Sequence, residues 1–324
     1  MKAVVLFPLT IFYFIAIKLW DLYWSFKKPV KLNPRVISVG NITAGGTGKT
    51  SLVKFIAQGL VLKSEKVAVI AKGYKRPDSD AETICSTRFN DWRKCGDEPA
   101  MLARSIPNLN IYVGSDKTSS ASRAASDGYD FLIIDDGFQH RRLARDLNIV
   151  CIDATDPFGN GFVLPSGKLR EPLNALNRAD CVVLFGDDPK NSLSLPINKS
   201  LPIFQALKKL VGVKNKVGHL VEIENKKALS FCGIGNPHSF RSSLKDIDIE
   251  ITNFLQFDDH YVYDDIDIES IISDFKKSGS DIIITTMKDF IKLENIWLVD
   301  YPLYYLDIEV EIENEESFLK LIKK

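Results

Sequence analysis

Short apolar runs recur along the first two hundred positions, and most give way to a glycine, an acid or a basic turn. Residues 36–39 end at Gly40, residues 67–70 precede Lys72-Gly73, and residues 131–134 lead into Asp135-Asp136. Residues 149–152 and 181–184 repeat the pattern. Runs that stay apolar on successive positions suit strands buried on both faces of a parallel sheet. Between them the spacing is helical, as for Leu52, Phe55, Ile56, Gly59 and Leu60 within residues 51–62. This alternation predicts an α/β fold built on a parallel sheet. The pattern changes near residue 200. Residues 203–211 and 218–224 flank Gly212-Val-Lys-Asn-Lys216 and predict a two-stranded hairpin. A new β-α series starts at residue 228, with Asp281-Ile-Ile-Ile-Thr285 as its strongest strand. The expected organisation is a membrane-associating helix over 1–30, a larger α/β domain over 31–200, a hairpin linker over 201–224 and a smaller α/β domain over 225–324.

The N-terminal segment fits neither series. Residues 3–17 carry no charge and include Phe7, Phe12, Tyr13 and Phe14. As a helix they would extend about 22 Å at ~1.5 Å per residue, short of the ~30 Å of a bilayer core. Trp20, Tyr23 and Trp24 follow, then Lys27, Lys28 and Lys31. Aromatic rings favour the lipid–water boundary, and lysines favour anionic headgroups. No small-residue cleavage site follows the apolar run, which argues against a signal peptide. The expectation is an uncleaved helix partly inserted in the membrane.

Charge sharpens the division. The 42 basic and 42 acidic groups cancel over the 324 residues, so nothing in the whole-chain balance points to nucleic acid as a partner. The cancellation hides a gradient: residues 1–35 hold six basic groups and one acid, whereas residues 225–324 hold 11 basic and 20 acidic groups. The five cysteines form no C-x-x-C pair, and the four histidines show no metal-ligand spacing. A zinc site or a disulfide framework is not expected, and a reducing compartment is.

The strongest local motif is Thr43-Ala44-Gly45-Gly46-Thr47-Gly48-Lys49-Thr50. It matches the phosphate-loop pattern G-x-x-x-x-G-K-[ST] except that Thr43 stands at the first glycine, and it lies between a predicted strand and a predicted helix. Glycines let successive backbone N–H groups turn toward phosphate oxygens, and the helix N-terminus adds partial positive charge. In this arrangement Lys49 reaches the β- and γ-phosphates and Thr50 holds Mg²⁺. The nucleotide site is therefore placed on residues 43–50 with Ser51 beside it, and ATP with Mg²⁺ is the expected cofactor pair. A metal site of this kind also needs an acid at the end of a second buried strand, where Asp135 and Asp136 stand. Asp97 and Glu98 in Gly96-Asp-Glu-Pro99, Glu171 in Leu169-Arg-Glu-Pro172, and His260 after Asp258-Asp259 are further polar clusters. Spacing alone leaves these open between surface turns, helix caps and catalytic groups.

Together the motifs resemble the tetraacyldisaccharide 4'-kinases of lipid A biosynthesis. The resemblance rests on Val39-Gly-Asn-Ile-Thr-Ala-Gly-Gly-Thr-Gly-Lys-Thr50, Gly96-Asp-Glu-Pro99 and Asp135-Asp-Gly-Phe-Gln-His-Arg-Arg142. It continues through Phe158-Gly-Asn-Gly161, Leu164-Pro-Ser-Gly167, Leu169-Arg-Glu-Pro172, Gly233-Ile-Gly-Asn-Pro237, Phe257-Asp-Asp-His260 and Thr285-Thr-Met-Lys-Asp289. It implies ATP-dependent phosphorylation of a sugar hydroxyl on an acylated glucosamine disaccharide in the membrane. It also implies a P-loop NTPase-type domain and a smaller α/β domain joined by a two-stranded linker, with the site in the cleft. Asp97 falls on the family's base and His260 on its supporting histidine. Thr50, Asp135 and Glu171 are the metal candidates, with Asp136, Gln139 and His140 close by. The implied partners are the lipid substrate and membrane lipids, with no obligate protein partner, at the cytoplasmic face of a bacterial inner membrane. Ser51 departs from the family's proline, Lys72 and Lys117 from arginines, and Met287 from the glutamate of T-E-K-D, where contacts to the nucleotide base are in question. A membrane-anchored P-loop switch controlling a protein partner is the competing class, but it leaves the two acid-bearing loops and His260 unexplained.

Overall fold

The computed structural model describes residues 2–73, 82–88, 91–186, 201–294, 296, 297 and 300–324. After helix α1 (Lys2–Ser25), the chain runs through β1 (Arg35–Gly40), α2 (Lys49–Val61), β2 (Val67–Ala71), β3 (Thr83–Cys85), α3 (Trp92–Cys95) and α4 (Asp97–Ser105). It continues through β4 (Asn110–Val113), α5 (Lys117–Ser126), β5 (Phe131–Asp135), β6 (Leu147–Asp153) and β7 (Cys181–Phe185). Then come β8 (Ile203–Lys214), β9 (Lys227–Cys232), α6 (Pro237–Lys245), β10 (Glu250–Gln256) and α7 (Asp265–Ser278). The last elements are β11 (Ile282–Thr286), α8 (Met287–Leu293), β12 (Leu303–Ile312) and α9 (Glu315–Lys323).

The apolar runs read from the sequence are β1, β2, β5, β6 and β7, nearly all of whose residues are buried. They pair in parallel, with β1 between β5 and β6. The strands form one sheet in the order β10-β9-β11-β12-β8-β7-β6-β1-β5-β2-β4-β3. Both α/β regions are thus segments of a single sheet, joined where β12 runs antiparallel to β8.

This corrects the expected hairpin. The partner of β8 is β12, across eight residue pairs, and not residues 218–224. Asn215–Gly218 does reverse the chain, but only a stub follows: Val221 N–H donates to the Val213 carbonyl, and a single bridge joins Lys214 to Leu220. Hairpin spacing cannot weigh a local return against a longer strand that arrives ninety residues later. β12 satisfies most of one edge of β8, and the local return keeps only the end of the strand.

The C-terminal end also returns to the larger region. Phe318 and Ile322 of α9 are buried in the same core as Leu52 and Ile56 of α2. Phe318 meets Phe204 edge-on at 5.1 Å, and Arg35 Nε donates to the Ile322 carbonyl at 2.7 Å. A separate core containing Phe231, Ile271 and Ile283 fills the smaller region. Helix α8 straddles the two: Ile291 lies in the larger core, Phe290 and Leu293 in the smaller.

Helix α1 is longer than its uncharged run. It continues through Lys18 and Asp21 to Ser25, about 36 Å at ~1.5 Å per residue. The segment Leu6–Ser25 is long and apolar enough to cross a membrane, and it exceeds the uncharged run of residues 3–17. Contacts with the body nevertheless run along its length. Thr10 Oγ1 donates to Ser166 Oγ at 2.7 Å, Tyr13 donates its hydroxyl to the Arg170 carbonyl at 3.0 Å, and Asp21 pairs with Arg141. Phe7 packs edge-on against Phe162. Leu9, Phe12, Leu19 and Phe26 remain exposed, Phe12 to 71%.

Candidate active site

The phosphate loop leaves β1 at Gly40 and enters α2 at Lys49. Gly48 caps α2 in the left-handed region at φ 79°, and a Cβ there would lie 2.5 Å from the Phe185 ring. Glycine is required for both reasons. Thr43, where the motif calls for glycine, is buried and pairs antiparallel with Leu169, while Ala44 N–H donates to the Lys168 carbonyl at 2.7 Å. The loop therefore leaves β1 as a short bridge in which a β-branched residue is at home. Asn41 Nδ2 donates to Thr47 Oγ1 at 2.9 Å and closes the base of the loop. Ala44, Gly45 and Gly46 are exposed, and nothing lies near a Cβ built on either glycine. Ser51 is exposed on α2 and lines an open groove of about 470 Å³ with Lys54, Gln58 and Lys209.

The parallel register sets Val39 beside Asp135, so the acids emerge next to the phosphate loop at the carboxyl ends of the strands, where open α/β sheets bind ligands. Asp135 is half-buried, and its Oδ1 is buried with no hydrogen-bond partner. Burial first, and then the Glu98 charge, push its carboxyl up to about 7. Asp136 adopts φ 47°, left-handed backbone for a non-glycine residue. Its carboxylate meets Lys49 at 3.6 Å and Arg170 at 3.0 Å. Burial works against its ionisation, but these cations and Lys117 outweigh burial and hold it below the usual carboxylate range. Buried Lys117 donates to the carbonyls of both Asp135 and Asp136 at 2.7 Å, fixing the turn. The sequence offered Lys117 only as a replaced arginine; its backbone clamp needed the fold to be seen.

Glu171 is buried and already occupied. Arg178 donates to its two oxygens at 2.9 and 2.7 Å, Arg141 reaches it at 3.2 Å, and Gln139 Nε2 donates at 3.0 Å. Gln139 also donates to the Asn41 carbonyl at 2.8 Å. Glu171 and Gln139 thus brace the base of the phosphate loop, and donors fill Glu171 where the sequence had placed it as a metal ligand. His140 Nε2 lies 2.9 Å from Thr118 Oγ1, and burial followed by the Lys117 charge pushes its imidazole down to about 4.

Asp97 opens α4 after Gly96 and is buried. The helix cap is Gly96, so Asp97 is free of the capping role its sequence context allowed. Asp97 Oδ1 accepts the Glu98 N–H at 2.9 Å, and Oδ2 accepts from His260 Nδ1 at 2.7 Å. Lys288 Nζ lies 3.2 Å from His260 Nε2. Lysine is only a donor, so Nε2 accepts and Nδ1 carries the proton given to Asp97. Burial favours neutral Asp97, but the His260 hydrogen bond, Lys288 and Lys292 outweigh burial and hold its carboxyl low. His260 itself sits at φ 62°, with its N–H on the Gly233 carbonyl at 3.2 Å. Non-glycine residues held in this region concentrate at functional sites, and Asp136 and His260 both qualify.

Glu98 joins the two sides, accepting from Thr50 Oγ1 at 3.1 Å. Sequence reasoning left it out of the site; its adjacency to Asp97 was the available signal. Lys288 of the Thr285–Asp289 motif contacts the Asp97–His260 pair, while Thr286 and Asp289 hydrogen-bond to each other behind it. Among the described residues no group of three or more His, Cys, Asp or Glu side chains is arranged to hold a metal. The unpartnered Asp135 oxygen and the Thr50 hydroxyl are hard oxygen donors beside the phosphate loop, suited to Mg²⁺ that keeps waters and phosphate oxygens as its other ligands.

Comparison with known proteins gives one answer. The family model described as Tetraacyldisaccharide-1-P 4'-kinase (LpxK) matches residues 2–324. A tetraacyldisaccharide 4'-kinase of Syntrophus aciditrophicus is 37% identical over 321 residues, covering 91% of this chain and 85% of the relative. That of Aquifex aeolicus is 34% identical over 305 residues, covering 92% and 90%. A crystal structure of LpxK from Aquifex aeolicus in complex with ATP superimposes with a TM-score of 0.83 at 32% identity, covering 100% of this chain and 99% of the other. With a phosphate loop, an aspartate–histidine pair and an apolar helix on one sheet, and with matches that run nearly end to end, the chain belongs to the tetraacyldisaccharide-1-P 4'-kinase family.

Proposed function

We propose that the protein transfers the γ-phosphate of ATP to the 4'-hydroxyl of a tetraacylated disaccharide 1-phosphate at a membrane surface. The observation that carries this reading is the Asp97-Glu98 pair: Glu98 receives the Thr50 hydroxyl from the nucleotide side, and Asp97 receives His260 from the acceptor side. Two consecutive residues thus hold the two halves of a phosphoryl transfer against each other.

In this reading the backbone amides of the phosphate loop and the Lys49 ammonium bind the phosphates. Asp97, kept ionised, orients the acceptor hydroxyl. The 4'-oxygen forms a bond to the γ-phosphorus as the bond from γ-phosphorus to the β,γ-bridging oxygen breaks, and the hydroxyl proton passes late to Asp97. A carboxylate held below its usual range is a weak base, which is sufficient where the transition state is loose and positioning dominates. His260 holds the carboxylate in place. Thr50 and Asp135 are the residues that would hold Mg²⁺, which offsets charge on the phosphates when bound.

Helix α1 fits a membrane surface better than a membrane span. Its contacts to Ser166, Arg170 and Arg141 hold it along the body, and its exposed apolar residues are free to enter lipid. Lys27, Lys28 and Lys31 lie at its end, where anionic headgroups would meet them. The cytoplasmic face of the inner membrane is the side where ATP is supplied. The switch reading is disfavoured because the lysine of Thr286-Met-Lys-Asp289 is engaged with His260.

The test follows labelled γ-phosphate from ATP onto the acylated disaccharide 1-phosphate, with and without Mg²⁺, for the wild type and Asp97→Asn. Mg²⁺-dependent labelling of the lipid by the wild type alone supports the reading. Near-normal turnover by Asp97→Asn removes the base role, and no labelling by the wild type removes the function.

A further inference from the structure

Lys292 is among the largest fully buried side chains, 1% exposed, on a helix that spans two cores. A buried ammonium is costly unless its surroundings compensate. Its nearest acid is Asp289, 0% exposed, whose Oδ1 lies 3.3 Å from Lys292 Nζ. The other Asp289 oxygen is taken by the Gly233 N–H at 2.9 Å and the Thr286 hydroxyl at 2.7 Å. Lys292 Nζ also lies 3.8 Å from Asp97 Oδ2 and 5.9 Å from the centre of the Tyr263 ring.

Asp97 Oδ2 is therefore enclosed by one region of the molecule: His260 at 2.7 Å, Lys288 at 3.7 Å and Lys292 at 3.8 Å all belong to the smaller region. The two lysines differ. Lys288 is partly exposed and divides its charge among Asp97, Glu98 and Asp259. Lys292 is enclosed, is shared only between Asp289 and Asp97 among the described acids, and rides on a helix anchored by Phe290, Ile291 and Leu293. A desolvated, fixed charge acts more strongly than a solvated, mobile one.

We propose that Lys292 is a positioning residue for Asp97, with the Asp289–Lys292 pair of the smaller region holding the carboxylate of the larger region in the orientation that receives the acceptor hydroxyl. This inference rests on Asp97 as the base. Lys292 touches neither phosphate nor acceptor; it acts through Asp97.

The competing role is neutralisation of buried Asp289, and paired substitutions separate the two. Lys292→Met alone strands the Asp289 charge and lowers the melting temperature under either role. Adding Asp289→Asn removes that charge while keeping an acceptor for Gly233 and Thr286. In the double variant the positioning role predicts recovery of the wild-type melting temperature, kcat lower by about 10- to 100-fold, and KM for ATP and for lipid unchanged. Recovery of kcat along with stability overturns the inference. So does a double variant that fails to regain the wild-type melting temperature, because the charge would then serve the core. Asp97→Asn is measured in parallel. If it retains turnover, the base reading fails; if it is inactive while the double variant is fully active, only the Lys292 inference fails.

Discussion

The two α/β regions approach the same chemistry with opposite construction. Both offer loops at the carboxyl ends of parallel strands. On the larger region the exposed part of the phosphate loop is backbone: Ala44, Gly45 and Gly46 are exposed, with open space above the two glycines, and beneath them a buried Asp135 oxygen has no hydrogen-bond partner. On the smaller region the site is side chains already locked together. His260, Lys288, Lys292, Asp289 and Thr286 are joined by contacts of 2.7–3.8 Å that end on Asp97. The phosphate side is left open for a charged ligand that brings its own partners, whereas the acceptor side is preorganised around one carboxylate. In the proposed mechanism, nucleotide binding falls on the larger region and the positioning of Asp97 on the smaller region of the same sheet, and the two adjoin at Asp97 and Glu98.

Substitutions on each side should fail in different ways. Asp97→Asn is expected to lower kcat by about 10²–10⁴-fold while ATP affinity, measured by titration calorimetry, stays near wild type. Equal losses in both would dissolve the distinction. Gly48→Ala is expected to do the reverse. Its Cβ meets the Phe185 ring at 2.5 Å in backbone that disfavours side chains, so ATP affinity should fall by about tenfold or more. The Asp97–His260 pair should remain intact in that variant.

A smaller effect tests the membrane face, which both regions leave to α1. Phe12 and Leu19 are exposed, so Phe12→Glu with Leu19→Glu should leave the melting temperature unchanged. Binding to anionic vesicles, followed by co-sedimentation, should fall by about tenfold. The smallest effect concerns His140. Its imidazole is pushed from 6.5 down to about 4 by burial first and then by Lys117. Unfolding therefore takes up a proton between those values. The stability tied to neutral His140 is complete above pH 6.5 and is lost as pH falls toward 4. The pH dependence of the melting temperature in that window should be shallower in His140→Gln than in the wild type.

The sequence was informative wherever one segment carried the whole signal. Residues 36–50 spell a strand, a phosphate loop and a helix start, and the structure follows that order. Residues 131–136 spell a buried strand ending in two acids. The hairpin at 203–224 extends over only a few residues, and the long partner of β8 comes from ninety residues away. Glu171 looked like a ligand until Arg178, Arg141 and Gln139 were seen around it. Lys117 and Lys292 were unremarkable as letters, since a lysine's role depends on what encloses it.

The sequence by itself determined the local chemistry: glycines where backbone must turn, apolar runs where strands are buried, an acid pair at a strand end and an uncharged run within the N-terminal helix. Each of these is decided by neighbours within a few residues, through sterics and periodicity. Only the tertiary structure decided that β12 completes β8, that α9 returns to the first core, and that Asp97 meets a histidine and two lysines from the far region. Those contacts span 163 residues between Asp97 and His260. Burial and charge act through space, so they select partners that no local spacing encodes.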